Sequence, residues 1–113
     1  MYTKPPYTLL DKVCLGLDQV VRALTDNPKT TAKPYPAEGM AEHALTEAER
    51  KHAAALMRVN HTGEVCAQAL YQGQAVVSRT TDLQEQMQQA SIEEGDHLAW
   101  CKQRLDELGS HTS

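Results

Sequence analysis

The chain has 113 residues, 41% of them hydrophobic and 23% charged, with four Tyr, one Trp and no Phe. That length allows one domain at most, and the apolar content is enough for a core, so a wholly disordered chain is excluded. Eleven basic against fifteen acidic side chains give a net charge of −4, which argues against a nucleic-acid binder working through a basic face.

In residues 7–24, apolar side chains recur at Leu10, Val13, Leu17, Val20, Val21 and Leu24, the spacing of an amphipathic helix. Thr8 with Asp11 three residues on has the form of a capping box, Pro5-Pro6 keeps the preceding chain extended, and Asn27-Pro28 ends the element. Residues 1–25 thus form an N-terminal helical segment. Residues 26–45 hold Pro28, Pro34, Pro36 and Gly39 with little periodicity and read as a linker. A second helix starts at Thr46, boxed by Glu49, and runs to about Arg79 with no proline to interrupt it. Thr80-Thr81-Asp82 supplies a turn and a new cap; a third helix then runs from Leu83 to Leu108, with Gly109 ending it. Residues 46–109 are therefore an antiparallel helical hairpin, followed by a tail at 110–113. The fold class is all-α.

Several classes drop out on simple grounds. No apolar run approaches the ~18–20 residues of a membrane span, and no signal peptide opens the chain. Cys14, Cys66 and Cys101 are odd in number and widely spaced, against a disulfide framework or a zinc knuckle.

The informative feature is polar residues on apolar stripes. Helix three carries Leu83, Met87, Ala90, Glu94, His97, Cys101, Leu105 and Leu108 at steps of three or four; helix two carries Ala53, Met57, Asn60, Glu64, Ala67 and Tyr71. With the turn near residue 80, Glu64 lies ~24 Å down one helix, and Glu94 and His97 lie ~21 and ~25 Å down the other. All three share a level and an inward face, where an unpaired charge costs several kcal/mol. A metal is one stable solution, and carboxylate plus imidazole suits iron, manganese or zinc. In di-iron carboxylate bundles, two helices each give a Glu and two each give Glu-x-x-His, so this hairpin holds one half-set. Glycine in mid-helix costs ~1 kcal/mol, and Gly63 beside Glu64 is explained by close packing at that level. His61, one turn before Glu64, and Glu93, Asp96 and Tyr71 are candidates to support the ligands rather than to ligate. His43, His52 and His111 read as surface histidines.

The wording of the two segments goes further. Leu56-Met57-Arg58-Val59-Asn60-His61-Thr62-Gly63-Glu64 through Ala75, followed by Glu93-Glu94-Gly95-Asp96-His97-Leu98-Ala99-Trp100-Cys101, resembles the first two metal-binding helices of the demethoxyubiquinone hydroxylases. The likeness is dense from about Ala48 to Gly109 and thinner over the first helix. It implies a ferritin-like di-iron monooxygenase of ubiquinone biosynthesis, hydroxylating the ring of a polyprenylated methoxy-methyl-benzoquinol with dioxygen and external electrons. By position Glu64, Glu94 and His97 match ligands of two iron ions, with Glu94 the bridging candidate. The isoprenoid tail implies an apolar groove and a peripheral place at the cytoplasmic face of the inner membrane, with other ubiquinone-biosynthesis proteins as possible partners.

The family's fold continues with a second hairpin carrying another Glu and another Glu-x-x-His, whereas this sequence has one such set. The expectation is an N-terminal portion of the enzyme, half of a four-helix bundle, whose exposed stripe helix one is available to cover in part. Two copies associating antiparallel would rebuild the bundle and bring two sets of ligands together. Two other readings stay open: a ferritin-like iron- or peroxide-handling protein with a di-metal site formed by dimerised hairpins, and a metal-free helical interaction module.

Overall fold

The computed structural model describes residues 7–25 and 27–113, so the expectation of an extended Pro5-Pro6 lies outside the described residues. Within them the chain is all-α, with α1 Leu9–Leu24, α2 Glu47–Val77 and α3 Thr81–Glu107. Each start follows from a threonine cap. Thr8 and Asp11 bond reciprocally at 3.0 and 3.1 Å, as do Thr46 and Glu49 at 2.9 and 3.1 Å, and the Thr80 hydroxyl accepts from Leu83 N at 3.2 Å. The cap at Thr80 starts α3 at Thr81, two residues before the expected Leu83. Gly109, at φ +70°, turns the chain out of α3, and Ser110 N reaches back to the Leu105 carbonyl at 2.8 Å.

The α2–α3 hairpin forms as expected, but its seam is not the stripe that the apolar periodicity marks. Among the buried residues, Ala54, His61, Gln68 and Ala75 on α2 and Gln84, Ser91, Leu98 and Leu105 on α3 form one row each, with Gln72, Gly95, Asp96 and Cys101 buried beside them. Both sets step by seven, the repeat that keeps two long helices in contact along their length. The expected stripes run beside this seam and join it at Leu105, where Ala53, Met57 and Leu108 pack into the same cluster. Their lower end is buried at Cys101, Leu105 and Leu108, whereas Asn60 is exposed and Leu83 is 44% exposed. Gln68 and Gln72 can sit there because Ser91 satisfies them, whereas the buried Gln84 Nε2 has no partner among the described residues. Gln72 Nε2 donates to Ser91 Oγ, which donates to Gln19 Oε1, both at 2.9 Å, and Gln68 Nε2 reaches the Ser91 carbonyl at 3.2 Å. The network ties all three helices in one register.

Helix α1 does not cover the Glu64 stripe. It lies on the other side of the seam, where Gln19, Val20, Ala23 and Leu24 meet Val65, Gln68, Ala69 and Gln72 of α2. The physical reason is the hydrogen bond at Gln19, which draws the polar face of α1 inward. Its apolar face then points outward, with Leu10 71%, Leu17 61% and Leu24 74% exposed.

The linker is a strap across α3. The Asp96 carboxylate, 2% exposed, accepts from Thr31 N at 2.8 Å and from the Thr31 hydroxyl. Further along, Trp100 Nε1 donates to the Lys33 carbonyl at 3.4 Å, and Tyr35 hydroxyl donates to Glu107 at 3.2 Å. Arg104 grips Glu42 through both terminal nitrogens at 2.7 and 2.8 Å. The strap passes so near α3 at Gly95 that a Cβ there would overlap the Lys29 carbonyl oxygen.

Candidate metal centre

Glu64 of α2 and Glu94 and His97 of α3 are brought together by the hairpin. One ligand-capable atom from each lies within 4.8 Å of the other two, the one such group among the described residues. His97 Nδ1 is 3.1 Å from Glu94 Oε2 and 3.4 Å from Glu64 Oε2. The spacing of three between Glu94 and His97 puts both on one flank of α3, and the antiparallel packing at equal distance from the turn brings Glu64 to meet them. None of the three is fully buried: their side chains are 24% (Glu64), 16% (Glu94) and 45% (His97) exposed.

The electrostatics fit a cation. Burial raises the Glu64 carboxyl above its ordinary range, and the facing Glu94 carboxylate raises it further, with only partial relief from His97. For His97, burial acts to lower its pKa, but the Glu94 and Glu64 carboxylates outweigh that and hold it raised. Two carboxylates thus face each other with one half-exposed imidazole to neutralise them. A bound divalent ion removes that repulsion, and this donor set of two carboxylates and an imidazole suits iron, manganese or zinc.

The supporting candidates are distributed differently. His61 is buried in the seam one turn before Glu64. Tyr71 is half-buried on α2, two turns beyond it. Glu93 is exposed and pairs with Gln89 Nε2 at 3.5 Å. Asp96 is turned to the strap and its Thr31 bonds rather than to the three ligand candidates.

Beside the cluster lies a cavity of about 330 Å³, lined by Glu64 and His97, by Met57, Asn60, Trp100, Cys101 and Arg104, and by Tyr35, Pro36 and Ala37 of the strap. The Trp100 ring stands 5.3 Å from that of His97, tilted by 39°. Burial and the Glu64 charge push the Cys101 thiol pKa up, which keeps it a neutral wall. Helical periodicity cannot find the strap's share of this lining. The available signal was a single aromatic, Tyr35, set between two prolines.

Comparison with known proteins bears on what this arrangement serves. Residues 51–113 match the family model described as ubiquinone biosynthesis protein COQ7. A protein of Nitrosococcus oceani named 3-demethoxyubiquinol 3-hydroxylase is 52% identical over 104 residues, 92% of this chain and 49% of the relative. One of Pseudomonas syringae pv. syringae with the same name is 48% identical over 113 residues, 100% of this chain and 53% of the relative. Another of that name, from Legionella pneumophila strain Paris, is 51% identical over 107 residues, 94% of this chain and 50% of the relative. The chain spans about half the length of the curated relatives it matches. No solved structure matches.

Proposed function

Because the chain belongs to the COQ7 family of ubiquinone biosynthesis proteins, we propose that it serves in a di-iron monooxygenase that hydroxylates the ring of a polyprenylated methoxy-methyl-benzoquinol. The observation that carries this reading is the convergence of Glu64, Glu94 and His97 on the rim of an open, largely apolar cavity. In this proposal the three residues are ligands of a two-iron centre, to which the chain contributes one half-set. Iron, when bound, supplies the dioxygen-activating redox chemistry. The chain's own part is to hold three donors at fixed positions and to offer a ring-sized space against them. Trp100, Met57 and the Tyr35–Ala37 strap give that space its apolar walls. In the metal-free chain, His97 Nδ1–H is shared between Glu94 and Glu64, which holds the imidazole facing the two carboxylates.

The surroundings fit a substrate with a long isoprenoid tail. No helix among the described residues is long and apolar enough to cross a membrane. The outward Leu10, Val13, Leu17, Val21 and Leu24 of α1 offer an aliphatic face suited to lying in a bilayer surface, so the proposed location is peripheral, at the cytoplasmic face of the inner membrane. The flank carrying the three ligands is half-exposed and is left free by α1. A ferritin-like four-helix arrangement, with a second hairpin laid over that flank, would complete the ligand set, and in this chain alone two copies could supply it.

The test is anaerobic titration with Fe(II). The reading expects stoichiometric binding by the chain, lost in Glu94→Ala. Unchanged iron content in that variant would remove the ligand assignment. A ferritin-like iron- or peroxide-handling protein would also bind iron, but would not retain a methoxy-methyl-benzoquinone; the apolar cavity favours the hydroxylase.

A further inference from the structure

The cavity beside the cluster is lined by several polar groups, and nearly all are committed elsewhere. The Tyr35 hydroxyl donates to Glu107, which leaves its oxygen only as an acceptor, and the Trp100 ring nitrogen donates to the Lys33 carbonyl, which leaves that ring only its faces. Arg104 is held by Glu42 and Glu107. Glu64 and His97 are engaged with each other. Pro36, Ala37 and Met57 have no strong donor. Beside the Cys101 thiol, which is only a weak donor, Asn60 is the side chain of this lining left least engaged. Its side-chain nitrogen meets only the Met57 sulfur, at 3.8 Å, and its oxygen has no partner among the described residues. A side-chain amide carries two donors and two acceptor sites, which water fills while the group is exposed. A ring entering the cavity displaces that water, and the amide then needs a replacement from the ring itself.

We propose that Asn60 is the specificity-determining residue that reads the oxygen substituents of the substrate ring. The inference rests on the reading of this cavity as the ring site. Asn60 lies one turn from Glu64 on the same flank of α2, about 6 Å along the axis, so its amide meets the edge of a ring seated against the ligand cluster. An amide suits both oxidation states of such a ring. It donates to a quinone carbonyl and accepts from a quinol hydroxyl, with no change in its own charge. A carboxylate at this position would accept only, and would add a further negative charge to a site that already holds two.

The experiment measures binding of a tail-less methoxy-methyl-benzoquinone and of its quinol by anaerobic equilibrium dialysis, with the fluorescence of the one tryptophan, Trp100, as a second signal for the quinone. Asn60→Leu is expected to bind both forms roughly three- to tenfold more weakly, the worth of one neutral hydrogen bond. Asn60→Asp is expected to lose affinity for the quinone and retain it for the quinol, a split that a purely structural role would not produce. Asn60 is exposed and leucine is the better helix former, so the helix persists, and circular dichroism checks this. Iron loading of Asn60→Leu should equal that of the wild type; a loss would overturn the assignment by making Asn60 a support of the metal ligands. Unchanged binding of both forms in Asn60→Leu overturns the inference and leaves the ring site standing. Failure of the wild-type chain to bind either form overturns the ring site, and the inference with it.

Discussion

Replacing Gly95 by alanine tests the strap. On an open helix face this change stabilises, because alanine is about 1 kcal/mol the better helix former. Here the new Cβ overlaps the Lys29 carbonyl oxygen and approaches the Pro28 ring at 3.6 Å. The clash is with backbone, so relief requires residues 28–31 to lift from α3. Lifting them breaks the bonds from Thr31 to the Asp96 carboxylate, which is 2% exposed. Each hydrogen bond to a charged group is worth about 1.5–3 kcal/mol, and a buried carboxylate left without its donors costs more. Set against the helix gain, the loss of both bonds gives a net destabilisation of about 2 kcal/mol or more. Urea unfolding followed by helical circular dichroism measures it. Gly63 and Gly73 are the controls: a Cβ at either meets nothing within 4 Å, so the close packing expected at Gly63 is not found, and alanine there should stabilise by up to about 1 kcal/mol. If Gly95→Ala proves as stable as Gly63→Ala, the strap does not lie on α3 and the account of Asp96 is wrong.

Ser91→Ala should cost about 1–3 kcal/mol, because it strands the buried Gln72 nitrogen and Gln19 oxygen at once; Gln72→Leu made with it should recover part of that loss in the same urea assay. The metal-free chain should lose stability as pH rises from weakly acidic to above neutral. The raised His97 stabilises fully below its unfolded pKa of about 6.5, and that contribution drains as pH passes its folded value; the raised Glu64 acts in the same direction, since the fold disfavours its ionised form. His97→Gln should flatten that dependence, measured as the urea midpoint against pH. Fe(II) should reverse it, raising the thermal midpoint by an amount equivalent to about 2.7 kcal/mol at a hundredfold excess over the dissociation constant, with no such rise in Glu94→Ala.

Much of this architecture is written locally. The Thr8, Thr46 and Thr80 caps and Gly109 mark the helix ends to within two residues, because capping involves only neighbours three or four positions apart. The level shared by Glu64, Glu94 and His97 is also arithmetic along the chain, a count of residues from one turn at 1.5 Å each. Periodicity misled at the seam. It ranks leucine above glutamine for burial, yet Gln68, Gln72 and Gln84 are buried while Leu10, Leu17 and Leu70 are exposed. Hydropathy scores a side chain against water, and it has no knowledge that Gln72, Ser91 and Gln19 will satisfy one another across three helices.

The sequence by itself determined three helices, one hairpin and one set of metal-ligand candidates at a common height. Only the tertiary structure decided which flank of the hairpin closes, that α1 presents its polar face inward, and that the proline-rich segment lies along α3 as the wall of the cavity. Those outcomes depend on hydrogen bonds between residues far apart in the chain, such as Thr31 to Asp96 at a separation of 65 and Gln19 to Ser91 at 72. No local pattern encodes such pairs, because each member is satisfied only once the other has been brought to it.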